Sequence, residues 1–329
     1  MRRTVITWSA IMALLIAGFG ASVVALNADI YSAHGFVGRY LEALERQDSA
    51  AALALPGVRT GNDAAAELLT SDAMGTLSDV RTVSDTADAD GRHTVVAEYT
   101  IAAPDGSGAR TARSEFVVAG DGTRFGLFPS WRFVSSPINS ISITVLHDQD
   151  FSVNGLDVTT AAAPDAAAAY QVFAPGLYVL KHDSTYLESK QVSAAITEIG
   201  GITDVTVDVQ ANEAFVAEVQ KHVSAYLADC TTQTVMLPTG CPFGQSLARI
   251  ITGTPEWSMV SDPTVTIVPG AVAGTWAVPK VPAVAHLVVE TKAYFDGRVT
   301  TFDEDVPFDV QYALTFEPGN RLLITAVYE

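Results

Sequence analysis

The chain predicts a β-rich α+β protein, with an N-terminal transmembrane helix and two helix-on-antiparallel-sheet domains flanking a small β-sandwich module. Three observations carry this. Residues 4–26 are predominantly apolar and hold no charged side chain. Beyond them the hydrophobic spacing begins near 3.6, switches to 2, and makes the same switch again after Asn212. Between the two switches, residues 138–210 carry short strand patterns and turn signals with little helical spacing. The expected divisions are 1–29, 30–137, 138–210 and 211–329.

Residues 4–26 read TVITWSAIMALLIAGFGASVVAL. At about 1.5 Å per residue this makes a helix roughly 35 Å long, against a hydrocarbon core of about 30 Å. A helix satisfies its own backbone groups where lipid cannot. Arg2 and Arg3 precede the segment, and Asp29 is the first charge after it. Positive charge stays on the cytoplasmic side, so the expected topology is single-pass at the cell membrane. The N-terminus is then cytoplasmic and the rest extracytoplasmic. The alternative is a cleaved signal peptide ending at Val23-Val24-Ala25, which leaves a secreted protein. No cysteine lies near the segment to carry a lipid.

Arg2 and Arg3 aside, 17 basic residues face 37 acidic ones, a net charge of −20. Such a surface repels nucleic acid and anionic lipid. The chain holds two cysteines, Cys230 and Cys241, in DCTTQTVMLPTGC. Outside a cell two cysteines pair, and Pro238 and Gly240 let this loop turn back, so a disulfide is expected. The spacing fits neither a CxxC redox motif nor a zinc site.

In FVGRYLEALERQ, residues 36–47, Phe36, Tyr40 and Leu44 fall four apart with Val37 and Leu41 beside them, which predicts a helix. Pro56-Gly57 breaks the chain. Residues 63–74, DAAAELLTSDAM, predict a second short helix. In TVVAEYTI, Val95, Ala97, Tyr99 and Ile101 share one face of a strand. Turns are expected at 104–108 and at Gly120-Asp121-Gly122, the latter between strands 109–119 and 123–134. The first domain is therefore helices followed by a four-stranded antiparallel sheet.

In the second domain Asn154-Gly155 is a hairpin signal, Pro175-Gly176 marks a turn, and 204–209 a closing strand. Asn212 is the expected N-cap of the next helix, with Glu213 in its first turn. Phe215, Val219, Val223 and Tyr226 make its apolar stripe. Strands are expected at 256–268, 273–278, 284–295, 306–316 and 321–328, with Pro318-Gly319-Asn320 as the last turn.

FVGRYLEALERQDSAAALALPG, leading into strands that end in Trp131-Arg132-Phe133, resembles the NTF2-like domains of exported bacterial proteins. A helix laid on a curved antiparallel sheet is the plan of NTF2-like and cystatin-like folds, and the resemblance implies that plan for both flanking domains. The whole layout resembles the TcaA-like membrane-anchored envelope proteins of Gram-positive, actinobacterial-type bacteria. Only three residues precede the helix, so the cytoplasmic zinc ribbon many of them carry has no counterpart in this sequence. No functional residue carries over.

Motifs for chemistry are sparse. GQSLA at 244–248 is one residue short of a nucleophile elbow, and Ser246 reads as a helix-start serine. Leu237-Pro238-Thr239-Gly240 lacks the spacing of a sortase signal and reads as a turn. His147-Asp148 and His182-Asp183 sit at strand ends, where neighbours face opposite ways, and read as loop polarity. Asp88-Ala89-Asp90-Gly91 resembles part of a calcium loop, but the twelfth position is Ala97. Asp303-Glu304-Asp305 reads as a solvated turn, with weak calcium binding as the minor reading. His93 and His286 both precede paired valines but out of phase by one residue, so they are not equivalents.

The expectation is a non-catalytic, membrane-anchored envelope protein without catalytic residues, metal or cofactor. It meets the membrane through residues 4–26, binds an envelope protein or wall polymer, and does not bind nucleic acid. A ligand-binding sensor with an NTF2-like cavity and a cell-wall hydrolase are the alternatives.

Overall fold

The computed structural model describes residues 2–61, 64–317 and 321–327, with side chains from 2–7, 9 and 10 outside the description. Helix α1, Arg2–Ala28, contains the apolar segment. Its window Ile11–Ala28 has mean hydropathy 2.1, and none of it is buried in the protein. By length and composition it is a helix able to cross a membrane.

Helix α2, Ala33–Glu45, follows after a four-residue linker. The Ser32 hydroxyl caps it by accepting from Gly35 N at 3.0 Å. A Cβ at Gly35 would lie 2.2 Å from the Asp29 carbonyl oxygen, so only glycine lets α2 start this close to the end of α1. Phe36, Val37, Tyr40, Leu41 and Leu44 are buried, as the four-residue spacing predicts. A short helix, α3 (Ser49–Leu53), comes next.

The expected helix over 63–74 is not formed. Asp63 lies outside the described residues. Ala65 N donates to Ala169 O at 2.9 Å and Ala65 O accepts from Gln171 N at 2.8 Å. The segment thus lies along a strand of the sandwich, and only Ser71–Ala73 makes a 3-10 turn. Burial of Leu68 and Leu69 overrides the helix propensity of the alanines.

Strands β1 (Thr76–Ala87), β2 (Arg92–Ala102), β3 (Arg110–Arg124) and β4 (Phe128–Phe133) form an antiparallel sheet in sequence order. Val95, Ala97, Tyr99 and Ile101 face α2 as expected and are buried. On the other face Glu98 takes Arg81 and Arg113 as partners, and those two guanidiniums hold its carboxyl below the usual range, Arg113 foremost. Gly120-Asp121-Gly122 is not the turn: β3 runs through it with a bulge between Gly120 and Thr123. The chain reverses at Phe125-Gly126-Leu127, where Phe125 and Gly126 have φ of 53° and 70°.

The sandwich has two four-stranded sheets. One is ordered β10-β12-β5-β8, from Leu187–Ser189, Ile202–Ala211, Ile138–Leu146 and Ala167–Phe173. The other is β11-β9-β6-β7, from Val192–Ile196, Gly176–Lys181, Asp150–Val153 and Leu156–Thr159. The closing strand β12 pairs parallel with β5. Asn154 and Gly155 form the β6–β7 turn with φ of 51° and 95°.

Helix α4, Glu213–Thr231, starts at Asn212, whose side chain accepts from Phe215 N at 3.0 Å. Its buried stripe is Phe215, Val219, Val223, Leu227 and Cys230. Tyr226, expected in that stripe, is half-buried instead, because successive turns of 3.6 residues carry the stripe to Leu227. Strands β13 (Ile250–Ile251), β14 (Glu256–Ser261) and β15 (Val268–Pro269) line one edge of β16 (Trp276–Lys292). Its other edge pairs with β17 (Val299–Glu317), which pairs with β18 (Arg321–Ala326). The expected 256–268 strand is broken into β14 and β15. The expected strands 273–278 and 284–295 are one strand, since Pro279 lies in a register shift between Val278 and Val281 where no ladder N–H is needed. Pro318-Gly319-Asn320 lies outside the described residues.

Two hydrophobic cores result. Phe36, Tyr40, Phe116 and Phe133 anchor the first, which also takes Phe173 and Leu177 from the sandwich. The second runs without interruption from the sandwich interior through Phe215 and Trp276 to the β16–β17 sheet.

Candidate functional site

A polar cleft lies where the sandwich meets the start of β16 and the end of β17. Two adjoining hollows, of about 450 and 550 Å³, share Asp150, His182 and Ser184. Their remaining walls include His147, Asp148, Tyr186, Trp276 and Phe316 on one side, and Asp157, Lys181 and Asp183 on the other.

The topology brings the two His-Asp pairs together. His147 and Asp148 follow β5, while His182 follows β9 in the facing sheet. His182 Nε2 lies 3.8 Å from Asp148 Oδ2, and His147 lies 3.7 Å from Asp165 and 3.8 Å from Asp208. The loop-polarity reading is corrected for His182 alone, which is buried and reaches Asp148 of the other pair, while His147 and Asp183 meet Asp165, Asp208 and Lys181 instead. His182 is only 6 % exposed. Its Nδ1 sits 2.7 Å from the Asp150 carbonyl oxygen, and Nε2 sits 3.0 Å from Ser184 Oγ. The carbonyl oxygen fixes a proton on Nδ1, and the Ser184 hydroxyl donates to Leu187 O at 3.2 Å. Ser184 Oγ also accepts from Leu187 N at 3.1 Å. The serine thus closes its own turn, and the histidine is pinned on both nitrogens.

Ser246, the other serine singled out, sits in an irregular stretch and starts no helix. The Asp88 carboxylate accepts from Asp90 N at 2.8 Å and Arg92 N at 2.9 Å, closing the β1–β2 turn. Among the described residues no group of three or more His, Cys, Asp or Glu side chains is arranged to hold a metal ion.

Asp303-Glu304-Asp305 is not a turn but lies within β17, with Asp305 opposite His286 in β16. His286 Nδ1 is 2.7 Å from Asp305 and Nε2 is 3.0 Å from Asp303. The hydrogen bond to Asp305, then the charge of both carboxylates, raise the imidazole above its ordinary 6.5. A raised folded-state pKa stabilises fully below the unfolded value, and that contribution disappears as pH climbs through the folded value. The His286 ring should titrate above free imidazole by NMR. His286→Gln should flatten stability against pH in that window, and an unchanged profile would refute the pairing. His93, by contrast, lies on the helix-covered face of its sheet, 2.6 Å from Asp85 and edge-on to Trp131.

Cys230 and Cys241 are bonded, S–S 2.06 Å, joining the end of α4 to the following loop. Gln233 braces that loop, accepting from Thr239 N at 2.8 Å, and Trp257 Nε1 donates to Val235 O at 2.8 Å.

Two hairpin tips expose aromatic rings that no sequence pattern marked. Phe295 is fully exposed and Tyr294 63 % exposed in the turn between β16 and β17. Trp276 lies at the other end of β16, roughly 50 Å away along the strand. Phe125 stands out at the β3–β4 tip. Adjacent aromatics beside Asp296-Gly297 and Gly126 were the available signal. Comparison with family models, curated proteins and solved structures finds no match.

Proposed function

We propose that the protein is a non-catalytic, membrane-anchored envelope protein whose extracytoplasmic body binds a protein partner or a wall polymer. The observation that carries this is α1: an apolar helix of which none of the Ile11–Ala28 window is buried, leading through four residues into a folded β-rich body. An apolar surface of that length left in water is costly, and a bilayer removes the cost. The disulfide supports an oxidising compartment for the body.

The binding surfaces on this reading are the junction cleft and the β16–β17 tip. The cleft combines carboxylates of Asp148 and Asp150 with the rings of Tyr186 and Phe316, which stack at 5.9 Å. That mixture suits a hydroxyl-rich polymer. Tyr294 and Phe295 suit a protein partner. On this reading the helix on a four-stranded sheet is NTF2-like, and in the first unit Phe36, Tyr40, Phe116 and Phe133 pack ring to ring between helix and sheet. Rings in that space favour a binding scaffold over a sensor with a cavity.

In intact cells, external protease should digest residues after Ala28 while the apolar segment stays with the membrane. Crosslinking should then recover a partner or wall fragments through the cleft or the Tyr294-Phe295 tip. Soluble protein in the medium would overturn the anchor, and crosslinks unaffected by Phe295→Ser and Asp150→Asn together would overturn the binding surfaces.

A further inference from the structure

The β3–β4 tip is held level with the end of α1. Asn27, in the last turn of α1, donates from Nδ2 to the Leu127 carbonyl oxygen at 2.9 Å. Phe128 packs on Tyr31 with ring centroids 4.5 Å apart. Trp131 Nε1 donates to Tyr31 O at 2.8 Å, and Arg39 Nη1 donates to Ile30 O at 2.8 Å. The linker after α1 is thus fastened to the hairpin on one side and to α2 on the other.

What the tip presents is apolar and strained. Phe125 is 92 % exposed and Leu127 45 % exposed. Phe125 also has φ of 53°, a region that costs a non-glycine residue energy. At that exposure no described residue covers the ring to compensate. Tyr31 and Trp131, joined beside Phe128 at the base of this hairpin, are the residue types that collect where a bilayer meets water.

The charges at this end are the exception in an acidic protein. Arg124 ends β3 next to Phe125. Burial, then the charge of Arg124, lower the Arg39 guanidinium below its ordinary value. Of the neighbouring carboxylates, Asp121 lies 3.9 Å from Arg132, and Asp29 lies 3.8 Å from His34, which is closer to Asp85 at 3.4 Å.

We propose that the β3–β4 tip is a second membrane contact, with Phe125 and Leu127 entering the interfacial layer of the phospholipid bilayer that α1 crosses and Arg124 meeting headgroup phosphate. This rests on the reading of α1 as a membrane span. The span fixes the depth, and the Asn27–Leu127 bond carries that depth to the hairpin. The first unit is then attached to the bilayer at two points, which restricts its tilt and sets the direction in which the rest of the body projects.

The test uses the full chain in phospholipid vesicles whose acyl chains are brominated near the headgroup, so that bromine quenches nearby indole. Trp8 lies in α1 and reports the span. Two proteins are compared, Trp8→Phe and Trp8→Phe with Phe125→Trp, alongside the unsubstituted chain. The difference between the two variants isolates the emission of the indole introduced at the tip. A side chain seated about 5–10 Å into the interface is within reach of shallow bromines, so that emission should fall by roughly half and shift to the blue. Quenching of Trp8 together with unquenched, water-like emission from the tip indole would overturn the second contact and leave the span standing. A blue-shifted but unquenched tip indole would also overturn it, showing that protein covers the tip. Unquenched Trp8, with the chain failing to float with vesicles, would overturn the span itself and the second contact with it.

Discussion

Replacing Trp276 by alanine is expected to cost about 3–5 kcal/mol, the range for truncating a buried aromatic. Trp276 opens β16, is 1 % exposed, and stands at the meeting point of the sandwich and α4. Its ring lies edge-on to His147 at 5.9 Å and to Phe215 at 6.2 Å. The first neighbour belongs to the loop after β5 and the second to the first turn of α4. The ring therefore fills a place where the long core passes from the sandwich to the β16–β17 sheet, beside the Tyr186–Phe316 stack. Alanine leaves a hole there, because a close-packed interior closes over a missing indole only in part.

The change should also alter the form of unfolding. A shared core makes the sandwich and the α4 sheet unfold together, so the parent should show one urea transition for both. With Trp276→Ala the coupling is lost and two transitions should separate, whereas Trp276→Phe should keep one at a lower midpoint. A single transition at the parent midpoint in the alanine variant would show that the units are not coupled through this ring. Circular dichroism and fluorescence monitored together read both outcomes.

That junction is also where reading the sequence reached its limit. Elements with a strong period were legible: the α2 stripe, the Val95–Ile101 alternation, the Val306–Leu314 alternation and the Asn154-Gly155 turn all follow from local spacing. Elements set by contacts far along the chain were not. Residues 64–69 carry alanine and leucine in helical proportion, yet Gln171, more than a hundred positions on, binds Gly61 and Ala64 through its side chain. Strand β1 exposes most of its residues on both faces and so shows no alternation. The prolines in β16 look like ends of strands until a bulge is placed among them. The candidate cleft was hidden for the same reason. His147 and His182 are separated by four strands, and nothing in either dipeptide points to the other. The disulfide was legible because its loop is short and its two cysteines have no rivals.

Removing that disulfide, as Cys230→Ala with Cys241→Ala, should lower stability by about 3 kcal/mol through the unfolded chain. The crosslink spans a separation of 11 residues, and in the chain-entropy picture its loss returns loop freedom to the unfolded state alone. In the folded state the loop has other fastenings. Gln233 binds Thr239 through both its side-chain oxygen and nitrogen, Trp257 holds Val235 O, and Gln245 N donates to Met236 O at 2.9 Å. Alanine at position 230 also keeps most of a small apolar volume where Cys230 is 2 % exposed at the end of the α4 stripe. The fold, the junction cleft and the Tyr294-Phe295 tip should therefore stay in place while the urea midpoint falls. Hydrogen exchange gives the sharper discrimination. If the loss acts through the unfolded chain, amides across α4 and the β16–β17 sheet lose protection equally. If it acts through the folded loop, the loss is confined to residues 232–245. A midpoint unchanged from the parent would mean that the unfolded chain already keeps this loop closed.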